Sequence, residues 1–135
     1  MMVTTLVTAG TLLILDLAFL GGVARAYYDS SLGPLRRAQV HAGAAALFYV
    51  MYLAFVLTVC ILPSTSPRQA ARRGAALGLL AYATYELTNW AVIAGWPARL
   101  VPVDIAWGVT LTAAAGWVGK AVDVWMGRIA IDRTV

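Results

Sequence analysis

From residue 3 to residue 23 the chain reads VTTLVTAGTLLILDLAFLGGV, a run whose one ionisable side chain, Asp16, sits past its middle. Its length matches the roughly 20 residues an α-helix needs to cross hydrocarbon. An ionised carboxylate near the bilayer centre costs roughly 2.5–3.5 kcal/mol on insertion scales. Leucine would have been the cheap choice at that position. Three further apolar runs follow, at about residues 42–62, 74–94 and 100–122, and the last two carry Glu86 and Asp104. Lipid offers no partner to an open sheet edge, so the runs are expected as helices. Short links make neighbouring helices antiparallel. The expected fold is all-α: an integral membrane four-helix bundle, one transmembrane domain over residues 1–135. It ends in an amphipathic C-terminal extension, where Val122, Trp125, Met126 and Ile129 recur at helical spacing.

Composition supports a membrane setting. The hydrophobic fraction is 61%, well above the roughly 45–50% of soluble domains, and only 12% of residues are charged. A chain of 135 residues is too short to hide that much apolar surface in water. The net charge of +4 comes from Lys120 and from arginines placed between the runs: Arg25, Arg36, Arg37, Arg68, Arg72, Arg73, Arg99, Arg128 and Arg133. That distribution suits headgroup contacts and topology signals. It lacks the dense basic stripe of a nucleic-acid surface, so no nucleic-acid partner is expected. Counting charges on the connections favours both termini in the cytoplasm. Ala24-Arg25-Ala26 resembles a signal-peptidase site, but no basic residue precedes the run and Asp16 interrupts it, so it reads as a retained span. Cys60 stands alone and reads as a packing residue.

The connections differ in character. Ala24 to His41 is the longest, and Tyr27, Tyr28, Leu32 and Leu35 make it amphipathic enough to lie in the interface. Pro63-Ser64-Thr65-Ser66-Pro67 is a break, and Gly95-Trp96-Pro97-Ala98-Arg99 a tight turn with an interfacial tryptophan.

Depth brings the polar residues together. Antiparallel helices set the C-terminal halves of the first and third spans level with the N-terminal halves of the second and fourth. Asp16, Glu86, Asn89, Tyr49, Tyr52 and Asp104 then fall in one leaflet. Tyr82, Tyr85, Glu86 and Asn89 form one helical stripe; Asp104, Trp107, Gly108 and Leu111 form another, and Asp16, Phe19, Leu20 and Val23 a third. Polar side chains turn away from lipid. The expected ligand-binding set is therefore Asp16, Tyr49, Tyr52, Tyr82, Tyr85, Glu86, Asn89, Asp104 and Trp107, around a pocket open towards one membrane face. Close carboxyls repel, so at least one is expected to hold its proton. A second reading stays open: the tyrosines and Asn89 satisfy the acids in a closed polar knot that only fixes helix register. Pairing of Arg25 with Asp16 and of Arg99 with Asp104 would favour that knot.

Two functions suit these residues. The pocket binds or permeates a proton, a cation or a small polar ligand. Alternatively, the chain is an accessory or structural subunit that packs against a larger membrane complex and binds lipid or pigment. The small residues Gly74, Gly78, Gly108, Gly116 and Gly119 allow close helix contact, including with a second copy. His41, followed by small residues, reads as an interfacial histidine, with a porphyrin ligand as the alternative. No phosphate-binding loop, zinc-protease helix, nucleophile elbow or dinucleotide fingerprint is present, no particular reaction is indicated, and no cofactor is named.

The same residues carry a resemblance. Leu15-Asp16 followed by Phe19-Leu20-Gly21, Tyr28-x-x-x-Leu32-Gly33, Phe48-Tyr49-x-x-Tyr52, Tyr82-x-x-Tyr85-Glu86-Leu87-Thr88-Asn89, Gly95-Trp96-Pro97 and Val103-Asp104-x-Ala106-Trp107-Gly108 resemble a bacterial family of predicted membrane proteins, domain of unknown function 2177. The family pattern more often has Asp at the place of Glu86 and Trp at that of Phe19. The resemblance implies a four-helix protein of the bacterial inner membrane and brings no activity with it.

Overall fold

Each apolar run is helical in a computed structural model, which describes residues 1–35 and 39–132, with side chains as far as residue 127. Arg36, Arg37 and Arg133, and the side chains of Arg128 and Ile129, lie outside the described residues. The helices are α1 (Met2–Ala18), α2 (Arg25–Leu32), α3 (Ala42–Phe55), α4 (Pro67–Val92) and α5 (Leu100–Asp132). Local signals set their starts. Ser66 caps α4 by accepting from the Gln69 amide at 3.3 Å, and Pro67 occupies the first turn, where its missing N–H is no loss. His41 caps α3 through Nδ1, 3.1 Å from the Ala44 amide, which gives this histidine a structural role.

Two π-helical turns extend the first two spans. Phe19–Val23 continues α1 and Val56–Ile61 continues α3, closed by the bonds Ala24 N–H to Phe19 O and Leu62 N–H to Leu57 O. A π turn inserts an extra residue and rotates the helix face beyond it. That corrects the stripe expected on the first span. The residues α1 buries are Thr4, Thr8, Leu12 and Asp16, one row at i+4 spacing, whereas Val23 at the end of the π turn is 85% exposed.

Among the described residues, three stretches are both long and apolar enough to cross a membrane: Met2–Val23, Ala42–Ile61 and Leu100–Gly127. Helix α4 has ample length at 26 residues but falls short in apolarity. Arg68, Arg72 and Arg73 weight its start, and Tyr82, Tyr85, Glu86 and Asn89 its end.

Helix α5 is central. It packs along α4 over most of its length, against α1, and against the π turn Val56–Ile61. The α4–α5 contact is backbone on backbone. Gly74 lies against the Thr112 carbonyl, Gly78 against the Gly108 carbonyl and Gly116 against the Ala70 carbonyl, while the Tyr82 ring covers Gly108. These small residues are thus used within the chain. Leu12, Tyr52, Val56, Cys60, Ile61, Leu111 and Ala115 form the main buried cluster, so Cys60 does pack as expected. Large apolar side chains such as Leu6, Ile14, Leu17, Val50, Leu80 and Val92 point outwards, as lipid-facing positions do.

Helix α2 does not simply extend across the surface. Ala24, Tyr28 and Leu100 form a second buried cluster with Phe19, Leu20, Tyr27 and Leu32. The Tyr27 hydroxyl donates to the Arg99 carbonyl at 2.7 Å, and Arg99 donates back to the Ser30 carbonyl at 3.1 Å. This segment is pinned over the start of α5.

Candidate functional site

The three acids come from three helices and all turn inwards. Asp16 is 4% exposed, Glu86 0% and Asp104 7%, so none faces lipid. Their surroundings differ, and the difference decides what each can do.

Asp16 is satisfied. The Tyr49 hydroxyl donates to Oδ2 at 2.5 Å and the Trp107 indole to Oδ1 at 2.9 Å. These bonds join α1 to α3 and to α5. Trp107 is itself fixed by stacking on Phe19, with centroids 3.9 Å apart and planes 10° from parallel. Asp104 accepts from the Tyr28 hydroxyl, which reaches it from α2. Burial first, and the bond to Asp104 second, raise the Tyr28 phenol far above its ordinary range, so it remains a donor.

Glu86 is the incomplete member. The Trp96 indole donates to Oε2 at 2.9 Å, but Oε1 is buried without a hydrogen-bond partner among the described residues. Leaving such an acceptor bare costs about 1–3 kcal/mol. Asp104 lies within side-chain hydrogen-bonding reach, so the charged group that Glu86 faces is another acid, which can bond it only when the pair holds a proton. Among the described residues no cation pairs with any of the three. Arg25 stands 3.8 Å from Asp29, Arg99 serves the Ser30 carbonyl and lies over the Tyr27 ring, and the mostly buried Lys120 bonds Asp123 at 2.8 Å. The arginine pairing that would have favoured a closed knot is not formed.

The acids border a cavity of about 490 Å³, within the size range of small-molecule sites. Of the expected set, Asp16, Tyr49, Tyr82, Tyr85, Glu86, Asp104 and Trp107 line it. Tyr52 and Asn89 do not. Tyr52 is buried beneath the cavity, where its hydroxyl is 2.6 Å from Thr112 Oγ1, and Asn89 lies beyond Glu86 on α4. The acids also fail to converge on a point: among the described residues no group of three or more acid, histidine or cysteine side chains is spaced to hold a metal ion. Asp16 sits with Tyr49 and Trp107, whereas Glu86 and Asp104 share the end under Tyr28 and Trp96.

Tyr28 and Trp96, both on connections, were not in the expected set. They were legible in the motifs around Tyr28 and in Gly95-Trp96-Pro97, but interfacial positions do not announce that a side chain folds back onto a carboxyl. These two residues, with Leu32 and Leu100, line the cavity on the side of the first and third connections.

Residues 1–121 match the model of one protein family. The chain belongs to the predicted membrane proteins of DUF2177. Comparison with curated proteins finds no match, nor does comparison with solved structures. The matched residues of this DUF2177 protein include every acid and aromatic residue of the cavity.

Proposed function

We propose that this DUF2177 protein is a four-span protein of the bacterial inner membrane, with both termini cytoplasmic, whose cavity binds or passes a proton, a cation or a small polar ligand. The carrying observation is Glu86: fully buried, on the cavity wall, with one oxygen unpartnered and no cation paired to it among the described residues. A side chain kept only for register would have both oxygens satisfied, as Asp16 has. The acids therefore divide the work. Asp16 braces α1, α3 and α5 through Tyr49 and Trp107. Glu86 and Asp104 form the responsive end, where a proton or a donor from a ligand relieves two neighbouring acids and fills the empty position on Oε1. Counting α4 as the fourth span rests on its continuous packing against α5, which lets its polar end face the cavity instead of lipid.

The test is proton influx into vesicles holding the purified protein, driven by a potassium diffusion potential and read with an entrapped pH-sensitive dye. Wild type should exceed protein-free vesicles, and Glu86→Gln should fall back towards them while keeping its unfolding temperature. Wild-type rates equal to those of empty vesicles, together with no stabilisation by sodium, potassium or small polar solutes, would remove the proposal.

A further inference from the structure

On the side of the first and third connections, two donors each occupy one oxygen of a buried acid. The Tyr28 hydroxyl donates to Asp104 Oδ1, and the Trp96 indole donates to Glu86 Oε2 at 2.9 Å. Glu86 Oε1 remains, buried and without a partner among the described residues, while Asp104 lies within side-chain hydrogen-bonding reach of Glu86. Two carboxylates offer only acceptors, so they bond each other only through a proton. The surroundings exclude other occupants. Oε1 shows no surface to a water or to a ligand. Among the described residues no third acid, histidine or cysteine completes a metal site. Nor does a neighbouring charge neutralise the pair. Asp16 of α1 is satisfied by Tyr49 of α3 and Trp107 of α5. Arg25 of α2 stands by Asp29, and Arg99 of the α4–α5 turn donates to the Ser30 carbonyl. Tyr82 and Tyr85 of α4 bring only phenols, neutral at ordinary pH.

Resting on the proposed binding role of the cavity, we infer that its ligand is a single proton held between Glu86 and Asp104, and that this proton joins the first connection to the third. With it in place, an unbroken series of hydrogen bonds runs from Tyr28 on α2 through Asp104 and Glu86 to Trp96. Without it, the series breaks at its centre and two buried carboxylates repel across the α4–α5 contact. The bonds from Tyr27 to the Arg99 carbonyl and from Arg99 to the Ser30 carbonyl tie the same segments independently. Proton loss therefore loosens α2 without releasing it. Glutamine at position 86 keeps the series with no proton, because its amide N–H donates to Asp104 and its carbonyl accepts from Trp96. Stability carries the same signature. Above the ordinary carboxyl range the folded chain holds one proton more than the unfolded chain, so stability falls as pH rises until the pair lets its proton go.

The experiment uses the full chain in lipid nanodiscs and reads the carboxyl C=O stretch by infrared difference spectroscopy, in water and in deuterium oxide. At neutral pH wild type should show a protonated-carboxyl band that shifts on deuteration and disappears in alkali. Glu86→Gln should lack that band. Asp104→Asn should lack it too, because the asparagine amide donates to Glu86 and leaves it ionised. The wild-type unfolding temperature should fall from neutral to alkaline pH more steeply than that of Glu86→Gln. Over the same range the amide-exchange protection of residues 25–32 should drop about tenfold in wild type and hold in Glu86→Gln. Absence of the band in wild type overturns the proposal. A band that survives Asp104→Asn puts the proton on one acid alone and overturns the sharing. Protection that is level with pH in wild type overturns the link between the connections. Proton influx without the band would keep the cavity reading and remove only the shared proton, whereas the band without influx would keep the shared proton and remove passage.

Discussion

Replacing Gly78 by alanine should destabilise this protein, although the same exchange ordinarily strengthens a helix. In a helix interior glycine is less favourable than alanine by about 1 kcal/mol, so the substitution starts with that gain. At Gly78 the added methyl would run into the Gly108 carbonyl of α5 and lie 2.8 Å from Thr112 Oγ1. Neither neighbour can yield easily. The carbonyl belongs to a helix backbone, and it also accepts from Thr112 Oγ1 at 2.7 Å. That hydroxyl is in turn 2.6 Å from the Tyr52 hydroxyl. Overpacking typically costs about 1–3 kcal/mol, and a backbone clash belongs at the upper end. After the propensity gain the net loss is about 1–2 kcal/mol. Gly10 is the control, because a methyl there meets nothing within 4 Å. Gly10→Ala should therefore gain up to about 1 kcal/mol. The two variants should differ by about 2–3 kcal/mol in reversible unfolding in mixed micelles. Separating α4 from α5 also moves Glu86 away from Asp104, so Gly78→Ala should impair proton influx and Gly10→Ala should not. A Gly78→Ala protein as stable as Gly10→Ala would refute the backbone contact between α4 and α5.

Other substitutions probe the site directly. Tyr49→Phe and Trp107→Phe each strip one donor from Asp16 and should each cost about 1–3 kcal/mol in the same unfolding assay, with a coupling energy in the double variant because both act on one carboxyl. Trp96→Phe removes the hydrogen bond that Glu86 does have and should lower stability by about 1–3 kcal/mol, and Glu86→Leu in that background should recover part of the loss. Tyr28→Phe should loosen α2, seen as faster amide exchange over residues 25–32, while Asp104 loses its donor. His41→Ala removes the cap of α3 and should cost about 0.5–2 kcal/mol of local stability, read as faster exchange at the Ala44 amide.

Much of the site was legible without coordinates because depth in a membrane is close to a linear property of sequence. Helical rise and alternating direction place Asp16, Glu86 and Asp104 at one level, and the cost of an uncompensated charge in lipid turns them inwards. The stripe on α4 is correct as far as Glu86, since α4 is an uninterrupted helix. It fails on the first span, where the π turn at Phe19–Val23 adds a residue per turn and carries Val23 to the outside. Tyr52 has the right depth but points one turn below the cavity, towards Thr112. The donors from Tyr28 and Trp96 depend on how two connections fold back, and no periodicity encodes that.

Sequence alone determined that the chain is helical, apolar enough for the bilayer and unusual in carrying carboxyls within its spanning runs, because hydropathy and helical period act locally. Tertiary structure alone decided which carboxyl is satisfied. Asp16 meets two donors from neighbouring helices, whereas among the described residues Glu86 meets one and keeps a bare oxygen. Hydrogen-bond satisfaction depends on side chains distant in sequence arriving within about 3 Å of each other, which only packing can arrange.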